Sequence, residues 1–248
     1  IFLKNTIDKK LVLKIKDVIF QNLKFRLNRN IKKKDFQKQL KLLRKNKKKF
    51  GDFFDSLQTL GLGYSLITST KIIDLVSNLL NVKKNSLTFT DISIRLDPPF
   101  DERNSLDWHQ DSSYFRQSSN GKNGLVLWIP LEKINFEKGP LELLKNSHKL
   151  GPLFVDKSRP KNKYSSGQRA INKKNIKDYK DIIKKELNVG DAVITNLDLI
   201  HRSGVNRSGS FRITIIGRFH NMLKKGFKSG LNKYIYTDKN INQKVHGF

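Results

Sequence analysis

The chain contains no cysteine. That excludes disulfides, zinc–thiolate sites, iron–sulfur clusters and a cysteine nucleophile, so any metal must be held by nitrogen and oxygen ligands. Acidic residues are scarce as well, 22 against 50 Lys and Arg. No stretch approaches the roughly 18 uninterrupted apolar residues that span a bilayer. The opening segment IFLKNTIDKKLVLKIKDVIF is broken by charge too often for a signal-peptide core. A soluble, cytoplasmic setting with no membrane span is the expectation.

What is abundant is positive charge, +28 over 248 residues. Such an excess reads either as a polyanion partner or as compositional drift toward Lys, Asn and Ile. Drift is favoured. The densest basic segment, NIKKKDFQKQLKLLRKNKKKF at 30–50, lacks the interleaved Arg and aromatics of a nucleic-acid groove. A chain of this length can bury one sizeable core, and neither a repeat nor a linker divides it, so one domain over 1–248 is expected.

The first 86 residues read as a helical flank. Leu11, Ile15, Val18, Ile19 and Leu23 recur at helical spacing, as do Phe36, Leu40 and Leu43. A third helix is predicted within 68–80, capped by Thr68 or Ser69, with Ile72, Ile73, Val76, Leu79 and Leu80 as its stripe. From residue 87 the period drops to two. Strands are predicted at LTFTDISIRL (87–96), GLVLWIPL (124–131), PLELL (140–144), twice within ELNVGDAVITNLDLIHRSGV (186–205) and at SFRITIIGRFH (210–220). The polar stretch 149–185 reads as an insert or lid, and 221–248 as a basic tail. Many short strands after helices predict a mainly β barrel or jelly roll, cupin-like, with a helical N-terminal region.

The chemistry gathers in two places. In SLDWHQDSSYF, His109 and Asp111 stand two apart, so a strand or strand end aims both at one point. His201 ends an apolar strand, Ser203 shares its parity, and Arg212 lies inside the apolar run FRITIIG. A buried guanidinium there calls for an anion. Two His, one carboxylate and a cation match the facial triad of non-haem Fe(II), with Arg holding the distal carboxylate of a 2-oxo acid.

The stretches WHQD, GLVLWIPLEKINFEKGPLELLKNSHKLG and GDAVITNLDLIHRSGVNRSGSFR together resemble the phytanoyl-CoA dioxygenase family of Fe(II)/2-oxoglutarate-dependent oxygenases, over roughly residues 87–220. The resemblance implies a double-stranded β-helix in which His109, Asp111 and His201 bind iron. By the same resemblance Arg212 and Ser203 hold the distal carboxylate of 2-oxoglutarate, Trp128 lines the cosubstrate pocket, and Ser93 or Arg95 touches it. The chain departs from the family at Asn146, where Gly is usual, and His148 is read as a turn residue. Retention of Asp111, which related halogenases replace with Ala or Gly, implies O₂-dependent hydroxylation of a C–H bond in a small molecule.

For the substrate, Tyr114, Phe115 and Arg116 follow the first ligands. Arg218 and His220 share the parity of Arg212, and either grip an acidic group or, for Arg218, pair with a carboxylate. A nucleic-acid-directed oxidative demethylase and a non-catalytic cupin-like binding protein are the competing readings.

Overall fold

A computed structural model describes residues 1–101, 105–114, 121–155 and 169–228, apart from the side chains of Thr90 and Asp91. These residues form five helices: α1 (Lys9–Leu27), α2 (Phe36–Arg44), α3 (Lys47–Gln58), α4 (Gly61–Ile67) and α5 (Thr70–Leu80). Asp8 starts α1 by accepting from the Lys10 and Leu11 N–H groups at 2.8 and 3.1 Å. Asn28, at φ 48°, stops it in a left-handed cap that Asn tolerates. Two helices exceed the three expected. The apolar stripe of α3 (Phe53, Leu57) was legible, whereas the seven residues of α4 are too few to show a period. In α5 only part of the expected stripe is covered: Ile72 and Val76 are buried, but Leu79 is 41% exposed. Ser69 occupies the cap position without a side-chain hydrogen bond. Among the described residues no helix is long and apolar enough to cross a membrane.

The described residues form eight strands: β1 (Phe2–Leu3), β2 (Leu87–Asp97), β3 (Gly124–Pro130), β4 (Leu141–Leu144), β5 (Ile182–Ile183), β6 (Ala192–Asn196), β7 (His201–Ser203) and β8 (Arg212–Asn221). They pair antiparallel into a five-stranded sheet, β1-β6-β3-β8-β2, and a three-stranded sheet, β5-β4-β7. This is the expected jelly roll with a helical flank. Strand β1 was not anticipated; it adds to the edge of β6, with Phe2 opposite Val193.

Alternation sorts the side chains of the large sheet into two cores. Ile92, Ile94, Leu127, Ile129, Ile213, Ile215 and Phe219 pack against the helices. Val126, Trp128, Val193 and Ile216 face the small sheet, where Leu141 and Leu143 meet them. Helix α4 lies close on the sheet because two glycines allow it. A Cβ on Gly217 would stand 2.7 Å from Ile67, and one on Gly63 would stand 2.8 Å from Ile92. The inner face, sealed by this packing, is where the polar residues of β2, β7 and β8 converge.

Candidate metal centre

His109 and His201 form an isolated antiparallel bridge, each backbone N–H donating to the other's carbonyl at 2.9 and 3.0 Å. The bridge sets the two rings 4.2 Å apart, centroid to centroid. Asp111 opens the 3-10 turn Asp111–Ser113, two residues beyond His109 rather than on a continuing strand. Its Oδ2 lies 3.5 Å from Nε2 of His201. One donor atom from each of the three residues lies within 4.8 Å of the others, and all three side chains are buried.

The backbone also prepares the rings. Nδ1 of His109 lies 2.7 Å from the Asp107 carbonyl, and Nδ1 of His201 lies 2.9 Å from that of Leu199. A carbonyl only accepts, so each Nδ1 carries the proton and each Nε2 keeps its lone pair for a metal. Burial, and then the neighbouring His201, push His109 down to about 3, so it is neutral at physiological pH. Burial alone would raise the Asp111 carboxyl, but His201, Arg218 and His109 together hold it below the ordinary carboxylate range. Two imidazoles and one carboxylate are the donor set of non-haem Fe(II), and these residues fit that ion.

Around the three ligands is a cavity of about 40 Å³, lined among others by Arg95, Asp97, Trp128, Ser203 and Arg218. Arg218 Nε stands 3.8 Å from Asp111 Oδ1, so of the two readings given to Arg218, the pairing with a carboxylate is the arrangement seen. Tyr114 packs edge-on against His109 at 5.6 Å, and its hydroxyl accepts from the Arg169 N–H. Phe115 and Arg116 lie outside the described residues. His220 is fully buried away from the cavity, and burial followed by Arg218 lowers it to about 4. Ser93 lines an outer groove rather than this cavity. His148 sits in the turn Ser147–Leu150, apart from the ligands, and Asn146 adopts the left-handed φ of 60° that a Gly there would favour.

Arg212 is already paired within the chain. The guanidinium expected to be awaiting a carboxylate already holds one. Its Nε and Nη2 donate to Asp97 Oδ2 at 3.0 and 2.9 Å, and its Nη1 donates to the carbonyls of Gly139 and Gly204. Arg95 donates to the other oxygen, Asp97 Oδ1, at 2.8 and 3.2 Å. Burial opposes ionisation of Asp97, but Arg95 and Arg212 overcome it and hold its pKa below the usual value. The pair of guanidiniums suits the distal carboxylate of 2-oxoglutarate in charge. Asp97 occupies both guanidiniums, so a distal carboxylate reaches them by displacing it. Sequence reasoning missed Asp97 because it ended the strand at Leu96. Parity with Ser93 and Arg95 was the available signal, since β2 continues and sets Asp97 opposite Arg212.

Gln110, between the two ligands, was also passed over. Its Nε2 donates to the carbonyls of Gly151 and Asp198 at 2.8 and 2.7 Å, and its Oε1 accepts from the Leu153 N–H at 2.8 Å. It thereby ties the ligand segment to the loops on either side.

The sequence profile of the phytanoyl-CoA dioxygenase (PhyH) family matches residues 22–214. No curated protein sequence matches the chain. Among solved structures, the chain is similar to apo ThoJ, a non-haem monooxygenase, at 15% identity and a TM-score of 0.59, covering 89% of this chain and 73% of that one. It is also similar to the epimerase SnoN in complex with Fe³⁺, alpha ketoglutarate and nogalamycin RO (16%, TM-score 0.54, 72% and 67% covered). A third is EvdO2 from Micromonospora carbonacea var. aurantiaca complexed with 2-oxoglutarate (22%, TM-score 0.50, 64% and 62% covered). At these identities the structural likeness speaks to the fold.

Proposed function

The chain belongs to the phytanoyl-CoA dioxygenase family of Fe(II)/2-oxoglutarate-dependent non-haem oxygenases, and from that premise we propose that it hydroxylates a C–H bond of a small-molecule substrate in the cytoplasm. The observation that carries the reading is the buried group of His109, Asp111 and His201 between the two sheets. Bound iron with 2-oxoglutarate and O₂ supplies an oxidant able to break a C–H bond, with succinate and CO₂ as co-products.

The chain's own contribution is positioning. His109 and His201 offer Nε2, held by the carbonyl contacts of their Nδ1 atoms, and Asp111 offers a carboxylate oxygen. Trp128 gives the cavity an apolar wall that excludes water. Arg212, with Arg95 and Ser203, holds the distal carboxylate of the cosubstrate. Asp97 competes for the same two guanidiniums, so cosubstrate binding works against an intramolecular carboxylate. Retention of Asp111 favours hydroxylation over halogenation, because no ligand position is released to a halide.

Anaerobic reconstitution with Fe(II) and 2-oxoglutarate should give a weak visible charge-transfer band, and admitting O₂ should release succinate. Absence of both from a folded, iron-loaded sample would overturn the enzyme reading.

A further inference from the structure

The cavity at the ligands is too small to hold a substrate. It measures about 40 Å³. Small-molecule pockets run from about 300 to 1,000 Å³. A second, open space has that size: a groove of about 800 Å³ between the α2–α3 corner and strand β2. The two spaces share Arg95, Asp97 and Leu106 as walls, so the groove lies directly beside the metal cavity.

Its lining has two characters. Along the corner stand Lys41, Arg44, Lys45 and Lys47. Arg44 pairs with Asp101, and the three lysines are exposed. Phe50, Phe54, Leu96 and Leu106 form the apolar part. The Lys-rich segment 30–50, which composition alone assigns to drift, is therefore folded so that part of its charge borders the groove beside the metal cavity. Arg218 and His220 fit an anion-gripping role less well. Arg218 stands beside Asp111, and His220 does not reach the cavity.

We infer that this groove is the substrate site, and that it takes an anionic small molecule. The ligand carries a phosphate or carboxylate on an apolar body: the anion lies along Lys41, Lys45 and Lys47, and the apolar part passes Leu106 toward the metal. The inference rests on the oxygenase reading for what happens at the metal, but the groove's preference for an anion can be tested separately.

The probes are octyl phosphate, octanoate and neutral octyl glucoside, titrated calorimetrically into the wild-type chain and into Lys45→Glu/Lys47→Glu. That variant takes the four-cation rim to a net charge of zero at exposed positions. At least one anionic probe should bind the wild type and lose about tenfold or more in affinity in the variant; 1 M salt, with a Debye length of about 3 Å, should weaken it similarly. Octyl phosphate against octanoate distinguishes the two anion sources. The inference is overturned if neither anionic probe binds, if the glucoside binds equally well, or if the variant binds unchanged. The anaerobic Fe(II)/2-oxoglutarate band of the wild type separates the two claims. Charge-dependent probe binding without the band sinks the oxygenase reading alone, and the band without such binding sinks the groove alone.

Discussion

Replacing Asp97 with Asn keeps the shape of the side chain and removes its charge, leaving Arg212, 2% exposed, without its anion. Breaking a buried pair by removing one partner costs about 3–5 kcal/mol, because the remaining charge stays desolvated. The lower end applies here. Arg212 keeps the carbonyls of Gly139 and Gly204, and Asn still accepts one hydrogen bond. For a chain of this size, each kcal/mol shifts Tm by about 2–4 °C, so a loss of about 3 kcal/mol lowers Tm by roughly 6–12 °C. 2-Oxoglutarate should reverse this, since its distal carboxylate replaces the missing charge. At a hundred times its Kd, a ligand bound only by the folded state adds about 2.7 kcal/mol. In the wild type the same ligand must displace Asp97 from both arginines, so the variant should bind it more tightly, by about tenfold, or 1.4 kcal/mol. The assay is a thermal melt and an anaerobic calorimetric titration, both with an inert divalent ion in the metal site. An unchanged Tm, or weaker 2-oxoglutarate binding in Asp97→Asn than in the wild type, would refute the competition between Asp97 and the cosubstrate.

Three other outcomes follow from the same geometry. Asp111→Ala should abolish hydroxylation and lower Fe(II) affinity by at least about tenfold, read by competition with a chelator; loss of activity with undiminished iron binding would remove Asp111 from the ligand set. Gln110→Ala leaves the carbonyls of Gly151 and Asp198 and the Leu153 N–H without their partner, at a cost of about 2–3 kcal/mol in urea unfolding, and a change below about 0.5 kcal/mol would refute the anchoring role. His109 and His220 titrate at about 3 and about 4 in the folded chain, against roughly 6.5 unfolded. The unfolded chain therefore binds protons first as pH falls, and metal-free stability, fully present above about pH 6.5, should decline by up to about 2.7 kcal/mol per pH unit between pH 6 and 4; a flat profile there would contradict it.

The competing readings part company at particular residues. A non-catalytic cupin-like protein should have lost a ligand, yet His109, Asp111 and His201 stand together, with both imidazole rings oriented by backbone carbonyls. The groove beside them is bordered by lysines near Phe50 and Phe54 and has the volume of a small-molecule pocket, which favours a small anion over a nucleic-acid strand.

By itself the sequence determined what depends on neighbours in the chain. The period of two in FRITIIGRFH separated Ile213, Ile215 and Phe219 from Arg212, Ile216 and Arg218, and the folded sheet keeps that division. His109 and Asp111, two apart, were legible as one half of a metal site, and His201 as a candidate for the other. Tertiary structure decided what depends on register between distant strands. The bridge between His109 and His201 joins segments far apart in sequence, and Asp97 meets Arg212 across a separation of 115 residues. No local period encodes such a pairing, because it is set by which strands lie side by side and how far each slides. The same holds for the groove. Lysines that look like composition in the sequence become the rim of a groove only once the α2–α3 corner packs beside β2.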